Sequence, residues 1–131
     1  MKNRIVLITG GASGIGKAMV RMFADRGCQV IIFDVQDDKG EILAKELCDQ
    51  RKKVVYKHVN LFDIDEIKSA YIWIKEQFGK LDYAMNNAGF GIPAKPLDEC
   101  TSEEVNKVIG ICLIAVTNCM IEEIKIMKEN G

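Results

Sequence analysis

The 131-residue sequence lacks the features that mark several large classes of protein. Eighteen basic and nineteen acidic residues give a net charge of -1, so no basic excess is present to attract nucleic acid or an anionic membrane surface. Its five cysteines form no C-x-x-C pair and it has one histidine, which argues against a zinc site and a disulfide framework. No apolar run approaches the roughly 20 residues of a membrane-spanning helix. We therefore expect a cytoplasmic protein with reduced thiols and no metal, nucleic-acid or membrane partner.

The composition is sufficient for one folded domain covering residues 1–131. Hydrophobic residues are 48% of the chain and charged residues 28%, which excludes a disordered chain. A chain of this length buries roughly two-thirds of the surface that it exposes when unfolded. Continuous apolar or β-branched runs alternate with segments of helical periodicity. The predicted strands are 5–8, 30–33, 53–60 and 81–85, with helices between them and a long final helix to about residue 128.

Apolar spacing predicts which face each helix buries. The expected inner faces are Ile15, Met19, Met22 and Phe23 in the first helix, Ile42, Leu43 and Leu47 in the second, and Ile67, Tyr71, Ile74 and Phe78 in the third. Asp63 with Glu66 and Thr101 with Glu104 resemble capping boxes that open the third and final helices. Residues 108–116 are apolar on every side, so this segment alone is compatible with a strand; the preceding cap and its length favour a helix.

Alternating strands and helices predict an α/β fold with a doubly wound parallel sheet and right-handed crossovers. The spatial strand order 3-2-1-4 places the switch point between the first and fourth strands. Ligands bind there, beyond the carboxyl ends of the strands.

A glycine-rich turn joins the first strand directly to the first helix. Glycine permits positive φ and close backbone approach to a ligand, and the start of a helix offers unpaired N–H groups and a partial positive charge. Residues 9–16, "TGGASGIG", therefore predict a phosphate-binding turn.

Two kinds of phosphate-binding turn fit this segment. Gly11-x-x-x-x-Gly16-Lys17 matches the start of a P-loop of nucleotide hydrolases, but Ala18 follows and has no hydroxyl for Mg²⁺. The alternative is a dinucleotide turn with the spacing T-G-x-x-x-G-x-G. Asp34 favours it, because a carboxylate about 20 residues beyond the glycines accepts hydrogen bonds from the adenosine ribose. The same carboxylate would repel the 2′-phosphate of NADP, so we expect NAD.

Three motifs resemble the short-chain dehydrogenase/reductase family: "TGGASGIG" at 9–16, "NLFD" at 60–63 and "NNAG" at 86–89. The resemblance covers nearly the whole chain. It implies a Rossmann-type fold, an NAD cofactor, homo-oligomers, and hydride transfer between the nicotinamide and a small-molecule alcohol or carbonyl carbon. The cofactor-binding residues that it implies are Gly10, Ser13, Gly14, Ile15, Gly16, Asp34, Val35, Asn60, Leu61, Asn87, Ala88 and Gly89. The family usually has Asp at the position of Asn60.

The resemblance does not supply the catalytic residues. The family uses a Ser on the fifth strand and a Tyr-x-x-x-Lys pair on the next helix, and the 131 residues end before both. A further family Asn aligns with Cys112, which has no amide. Tyr71-x-x-x-Lys75 spells the pair, but it precedes "NNAG" and Tyr71 is expected in the core.

We therefore expect the cofactor-binding half of a family domain, without turnover by itself. A non-catalytic nucleotide-binding or interaction module and a P-loop nucleotide hydrolase remain as alternatives.

Overall fold

A computed structural model describes residues 1–129 as an alternation of strands and helices around one parallel sheet. The strands are β1 (Ile5–Thr9), β2 (Gln29–Asp34), β3 (Lys53–His58) and β4 (Tyr83–Asn86). The helices are α1 (Gly14–Asp25), α2 (Asp37–Asp49), α3 (Ile64–Phe78), α4 (Ser102–Ile109) and α5 (Val116–Glu129). A short 3₁₀ turn (Leu97–Glu99) precedes α4, and a π segment (Gly110–Ala115) joins α4 to α5.

The four strands are parallel and stand in the order β3-β2-β1-β4. Leu7 pairs with Ile31 on one side and with Ala84 on the other, so β1 is central. Every residue of β1 is buried, as its continuous apolar sequence predicts. β3 forms an edge, which agrees with the polar Lys57 and His58 in its sequence. The predicted α/β fold and strand order are confirmed.

Helices cover both faces of the sheet, and each face has its own core. Val6, Ile8, Val30 and Ile32 point toward α1 and α2, where they pack with Val20, Phe23, Leu43 and Leu47. Leu7, Ile31 and Phe33 point the other way and pack with Ile67, Tyr71, Ile74 and Cys119 from α3 and α5. This alternation along two strands follows from the twofold period of β structure.

The predicted inner faces of α1 and α2 need correction. Ile15 is 75% exposed and Ile42 is 68% exposed, and Met22 is also on the surface. The buried residues of α1 are Gly16, Val20, Phe23 and Ala24. Ile15 stands in the first turn, beyond the end of the sheet, so no core is available to cover it. Phe78 of α3 is only partly buried, whereas the smaller Ala70 takes a place in the core.

One of the two predicted capping boxes is incomplete. Thr101 and Glu104 form both reciprocal bonds at the start of α4, as predicted. Asp63 caps α3 by accepting from the N–H groups of Asp65 and Glu66. The carboxylate of Glu66, however, accepts from the N–H of Asn60 at 2.7 Å rather than from Asp63. The loop after β3 curls over the helix start, and the N–H of Asn60 is the donor that this loop offers.

The long final helix is interrupted by the π segment, so the prediction of one regular helix is wrong in its middle. The buried positions of this region are Ile111, Ala115, Cys119, Glu123 and Ile126. The first four are spaced by four residues, slightly more than the α-helical period of 3.6, and the wider π turn takes up the difference; Ile126 follows Glu123 by three residues. The helical prediction for residues 108–116 is otherwise confirmed, with Leu113 and Ile114 exposed.

β4 begins later than the sequence predicts. Leu81 is buried but precedes the strand, which starts at Tyr83. Among the described residues β4 pairs with β1 alone, so its other edge carries no strand.

Candidate functional site

A cavity of about 480 Å³ lies at the carboxyl ends of β1, β2, β3 and β4, where the switch point was predicted. Four loops form its walls: the glycine-rich turn after β1, the turn after β2, the loop after β3 and the "NNAG" loop after β4. The lining residues are Gly10, Ser13, Gly14, Ile15, Phe33, Asp34, Val35, Gln36, Val59, Asn60, Leu61, Phe62, Asn87, Ala88, Gly89, Phe90 and Ile111. Every predicted cofactor-binding residue except Gly16 lines this one cavity.

The glycine-rich turn brings the start of α1 to the cavity wall. Gly10 and Gly14 have φ of +64° and +53°, a left-handed conformation that other residues adopt only with strain. Gly16 lies behind the turn, where a Cβ would stand 2.1 Å from the carbonyl oxygen of Gly10. Ser13 precedes α1 without capping it through its side chain. The first N–H groups of α1 therefore remain available to an anion in the cavity.

Asp34 ends β2 with a buried carboxylate that the neighbouring turns hold in place. Its exposed fraction is 8%, and one oxygen accepts from the N–H of Ala12 at 3.0 Å. The other oxygen accepts from the N–H groups of Val35 and Gln36 at 2.7 and 3.1 Å. These bonds fix the carboxylate at the cavity wall and leave it acceptor capacity for a sugar hydroxyl.

The "NNAG" loop is hydrogen-bonded directly to the glycine-rich turn beside it in the cavity wall. The side-chain amide of Asn87 donates to the carbonyl oxygens of Thr9 and Gly10 at 3.1 and 3.2 Å. The hydroxyl of Thr9 accepts from the N–H groups of Asn87 and Ala88, both at 3.1 Å. These bonds set the separation between the two loops, and with it the width of the cavity.

Asn60 organises the loop after β3. Its side-chain oxygen accepts from the N–H of Phe62 at 3.0 Å, and its carbonyl oxygen accepts from the N–H of Asp63 at 3.0 Å. Leu61 is buried beside it. The amide of Asn60 keeps one acceptor lone pair and its NH₂ donors for a ligand in the cavity.

Lys17 does not line this cavity. It lies in a smaller depression of about 350 Å³ with Lys39, Ile42 and Glu46 on the outer side of the turn. A P-loop lysine reaches toward the terminal phosphates, so this position does not favour a nucleotide hydrolase.

Cys112 and Tyr71, two residues that the family pattern singles out, stand outside the cavity wall. The thiol of Cys112 donates to the carbonyl oxygen of Phe90 at 3.7 Å, beside the "NNAG" loop. The hydroxyl of Tyr71 donates to the carboxylate of Glu123 at 2.7 Å in the core. Burial raises the pKa of Tyr71 well above its usual value. Lys75 pairs with Glu129 on the surface, so the prediction that Tyr71-x-x-x-Lys75 is a core aromatic beside a surface lysine is confirmed.

Several residues that line the cavity were not predicted from the sequence. Phe62 and Phe90 directly follow Leu61 and Gly89, so their adjacency to two motifs was an available signal. Gln36 donates to the hydroxyl of Ser13 at 3.2 Å and closes the wall beside Asp34. Ile111 reaches the cavity from the π segment, and no local pattern indicates this.

The described residues, 1–129, offer no candidate metal site. No three His, Cys, Asp or Glu side chains lie together in a way that could hold a metal ion. His58 ends β3 and bonds Asp37 at 2.7 Å. Within the same residues no helix combines the length and apolar character needed to span a membrane.

Comparison with known proteins shows the family to which the chain belongs. The sequence model of the family described as short chain dehydrogenase matches residues 4–131. The chain belongs to the short-chain dehydrogenase family. This oxidoreductase family binds nicotinamide dinucleotides and acts on small-molecule alcohols and carbonyl compounds.

Its relatives include proteins from plants and bacteria. Short-chain dehydrogenase reductase 3b of Arabidopsis thaliana is 34% identical over all of this chain and half of its own length. Momilactone A synthase of Oryza sativa subsp. japonica is 36% identical over 85% of this chain and 40% of its own length. A short-chain dehydrogenase/reductase of Burkholderia phymatum, solved in complex with NAD, superposes with a TM-score of 0.92 at 23% identity. That superposition covers 99% of this chain and 46% of the Burkholderia chain, and it shows the shared fold.

The match is confined to the N-terminal half of the family. The chain spans about half the length of the relatives that it matches.

Proposed function

We propose that this chain is the dinucleotide-binding half of an NAD-dependent oxidoreductase. One observation carries the proposal: a buried carboxylate, an uncapped helix start and the "NNAG" loop line the same cavity. The cofactor would supply the hydride acceptor or donor, and the substrate would be the alcohol or carbonyl carbon of a small molecule. Residues 1–131 would form a single NAD-binding Rossmann domain.

The glycine-rich turn fits the pyrophosphate of a dinucleotide. The N–H groups of Gly14, Ile15 and Gly16 would hold the pyrophosphate, because this turn offers donors and a partial positive charge. Gly10 and Ser13 would complete the turn. A side chain on Gly14 would project into open space, as expected of a wall that a ligand approaches closely.

The sugar and the base would lie along the other walls. Asp34 would accept from the adenosine ribose beside Val35, and Asn60 and Leu61 would flank the adenine. Asn87, Ala88 and Gly89 would lie along the cofactor and hold β4 against β1. The oxygens of Asp34 accept three N–H groups, which fix the position of the carboxylate, and a carboxylate there would repel a 2′-phosphate. Val35 offers no cation to offset that repulsion. These features support NAD over NADP.

Turnover would need residues that follow β4 in the family. Tyr71 lies in the core, and Cys112 lacks the amide of the family Asn. We propose that the 131-residue chain binds cofactor without turning over substrate, and that Ser and Tyr-x-x-x-Lys belong to a C-terminal half. The replacement by Cys112 also favours a second candidate, a non-catalytic nucleotide-binding module.

We also propose that the protein is cytoplasmic and forms homo-oligomers. The homo-oligomer is supported by an apolar surface on α4, the π segment and α5. Its exposed large side chains are Val105, Ile109, Leu113, Met120, Ile121 and Ile124. Burying this surface against a second copy would remove it from water.

A fluorescence titration with NADH tests the proposal. We expect saturable binding without Mg²⁺, weaker binding of NADPH, and roughly a tenfold loss of NADH affinity in Asp34→Ala, as for a lost charge-assisted hydrogen bond. Asp38→Ala, an exposed carboxylate of the first turn of α2, is the control and should bind as wild type. Binding of ATP only with Mg²⁺, without NADH binding, would contradict the proposal.

A further inference from the structure

Two aromatic rings from different loops meet at the cavity and are left half in solvent. Phe62 comes from the loop after β3, and Phe90 follows the "NNAG" loop. Their ring centroids are 6.4 Å apart, and the ring planes are inclined by 45°. They are 55% and 46% exposed, and both line the cavity. Large apolar rings turned toward a cavity gain free energy when a flat apolar ligand covers them.

Phe62 is held in place by its own loop. Its N–H donates to the side chain of Asn60, and the N–H of Asn60 in turn donates to Glu66 at 2.7 Å. Asp63 then caps α3. The backbone on both sides of the ring is thus fixed before any ligand binds, so little ordering entropy would be lost on contact.

The π segment lies against the ring of Phe62 and against the backbone of Phe90. A Cβ on Gly110 would stand 3.0 Å from the ring of Phe62, so only glycine leaves the ring this place without a shift. Two residues later, the thiol of Cys112 bonds the carbonyl oxygen of Phe90. Ile111, between them, lines the cavity. The π segment therefore begins where Gly110, Ile111 and Cys112 contact Phe62, the cavity and Phe90 in turn.

We propose that Phe62, backed by Phe90 and Gly110, is a further cofactor-positioning residue that packs against the adenine of the dinucleotide. This inference rests on the proposed function, in which Asp34 binds the adenosine ribose and Asn60 and Leu61 flank the base. Phe62 lines the same cavity as those two residues, so its ring would offer an apolar surface to the base. Aromatic contact of this kind accepts any purine face, so it adds affinity without reading the edge of the base.

Paired titrations with two halves of the cofactor test this role. AMP, measured by displacement of NADH, reports the adenine end; reduced nicotinamide mononucleotide, measured by its own fluorescence, reports the other end. In Phe62→Ala we expect NADH and AMP affinity to fall about tenfold, the typical effect of losing one base–aromatic contact. Affinity for reduced nicotinamide mononucleotide should be unchanged. Phe62→Leu, which keeps apolar bulk without the ring, should fall between, and Gly110→Ala should shift AMP in the same direction as Phe62→Ala.

The controls separate this role from a general loss of structure. Ile72→Ala removes an exposed apolar side chain that does not line the cavity, and it should leave all three affinities unchanged. Equal losses for AMP and reduced nicotinamide mononucleotide in Phe62→Ala would overturn the inference, because they would indicate a distorted cavity. Wild-type affinity for AMP in Phe62→Ala would overturn the inference while leaving the proposed function intact. Failure of the wild-type chain to bind NADH or AMP would overturn both.

Discussion

Asn87 donates two hydrogen bonds to Thr9 at the switch point of the sheet. The N–H of Asn87 donates to the hydroxyl of Thr9 at 3.1 Å, and the side-chain amide of Asn87 donates to the carbonyl oxygen of Thr9 at 3.1 Å. Thr9 ends β1 and Asn87 directly follows β4. The pair therefore couples the end of one strand to the loop that follows its neighbour, and it holds two walls of the cavity together.

Replacement of Thr9 by valine should be strongly destabilising although the shape is kept. The hydroxyl accepts from two N–H groups, of Asn87 and Ala88. Valine removes this acceptor from both, and the N–H of Asn87 keeps only its bond to the carbonyl oxygen of Met85. We expect a loss of about 3 kcal/mol in the free energy of unfolding, measured by urea denaturation. Thr9→Ser keeps the hydroxyl and should lose less than half of that. Equal stability of Thr9→Val and Thr9→Ser would refute the role of these bonds.

Two glycines of the same turn should respond differently to alanine. In Gly16→Ala the new Cβ would meet the carbonyl oxygen of Gly10 at 2.1 Å and the amide of Asn87 at 2.7 Å, so we expect a loss of about 3 kcal/mol or more. In Gly14→Ala the Cβ meets open space and only the positive φ is strained, at about 1 kcal/mol. Thermal and urea unfolding of both variants measure the difference. If Gly14→Ala were the less stable of the two, the described packing of the turn would be wrong.

The cysteines should divide by burial in a thiol-labelling experiment. Burial raises the pKa of Cys119 to about 11, so almost none of it is thiolate near pH 8. Cys28 is also buried, whereas Cys48 and Cys112 are exposed. Mass spectrometry after a short pulse of iodoacetamide should find label on Cys48 and Cys112 but not on Cys28 or Cys119. In urea all four should be labelled. Rapid native labelling of Cys119 would contradict its place in the core.

Stability should fall in acid partly through Asp82. Burial by itself would raise the pKa of Asp82, but hydrogen bonds from Ile5, Arg4 and Lys80 outweigh it and lower the pKa to about 2. Because the folded pKa lies below the ordinary value of 3.8, Asp82 stabilises the fold above about pH 4. This contribution is lost as the pH falls from about 4 to about 2.

The variant Asp82→Asn isolates this effect. We expect it to be less stable than wild type near neutral pH and to lose less stability between about pH 4 and pH 2 in urea denaturation. The pKa of Glu104 is also lowered to about 2, chiefly by Lys95. Glu104 is present in both proteins, so its contribution to the loss of stability in acid is the same in both. Parallel curves for wild type and Asp82→Asn would show that Asp82 does not contribute as described.

The strands of the sheet were predictable because the pattern that specifies each of them lies within a few consecutive residues. The runs "IVLI" and "VIIF" are apolar without a break and short, which is typical of a strand buried on both faces. The glycine-rich turn and Asp34 were predictable for a related reason, since each follows a strand directly and the strand order brings them together.

The remaining errors come from interactions between distant residues. Ile15 fits a helical stripe, but its burial depends on where the sheet ends, which the stripe does not encode. Ile42 lies on a different face of α2 from the buried Leu43 and Leu47. Glu66 was expected to bond Asp63, and the loop after β3 presented Asn60 instead. The contact of Phe62 with Gly110 joins residues far apart in sequence, so no spacing rule could indicate it.

The central claim is that the turn after β1 holds a pyrophosphate while Asp34 holds the ribose beyond it. A crystal of the chain soaked in NAD tests it most directly. We predict electron density for the pyrophosphate at the N–H groups of Gly14, Ile15 and Gly16, and a ribose hydroxyl within hydrogen-bond distance of Asp34. An empty turn, or magnesium and a nucleoside triphosphate bound there after a competing soak, would contradict the account.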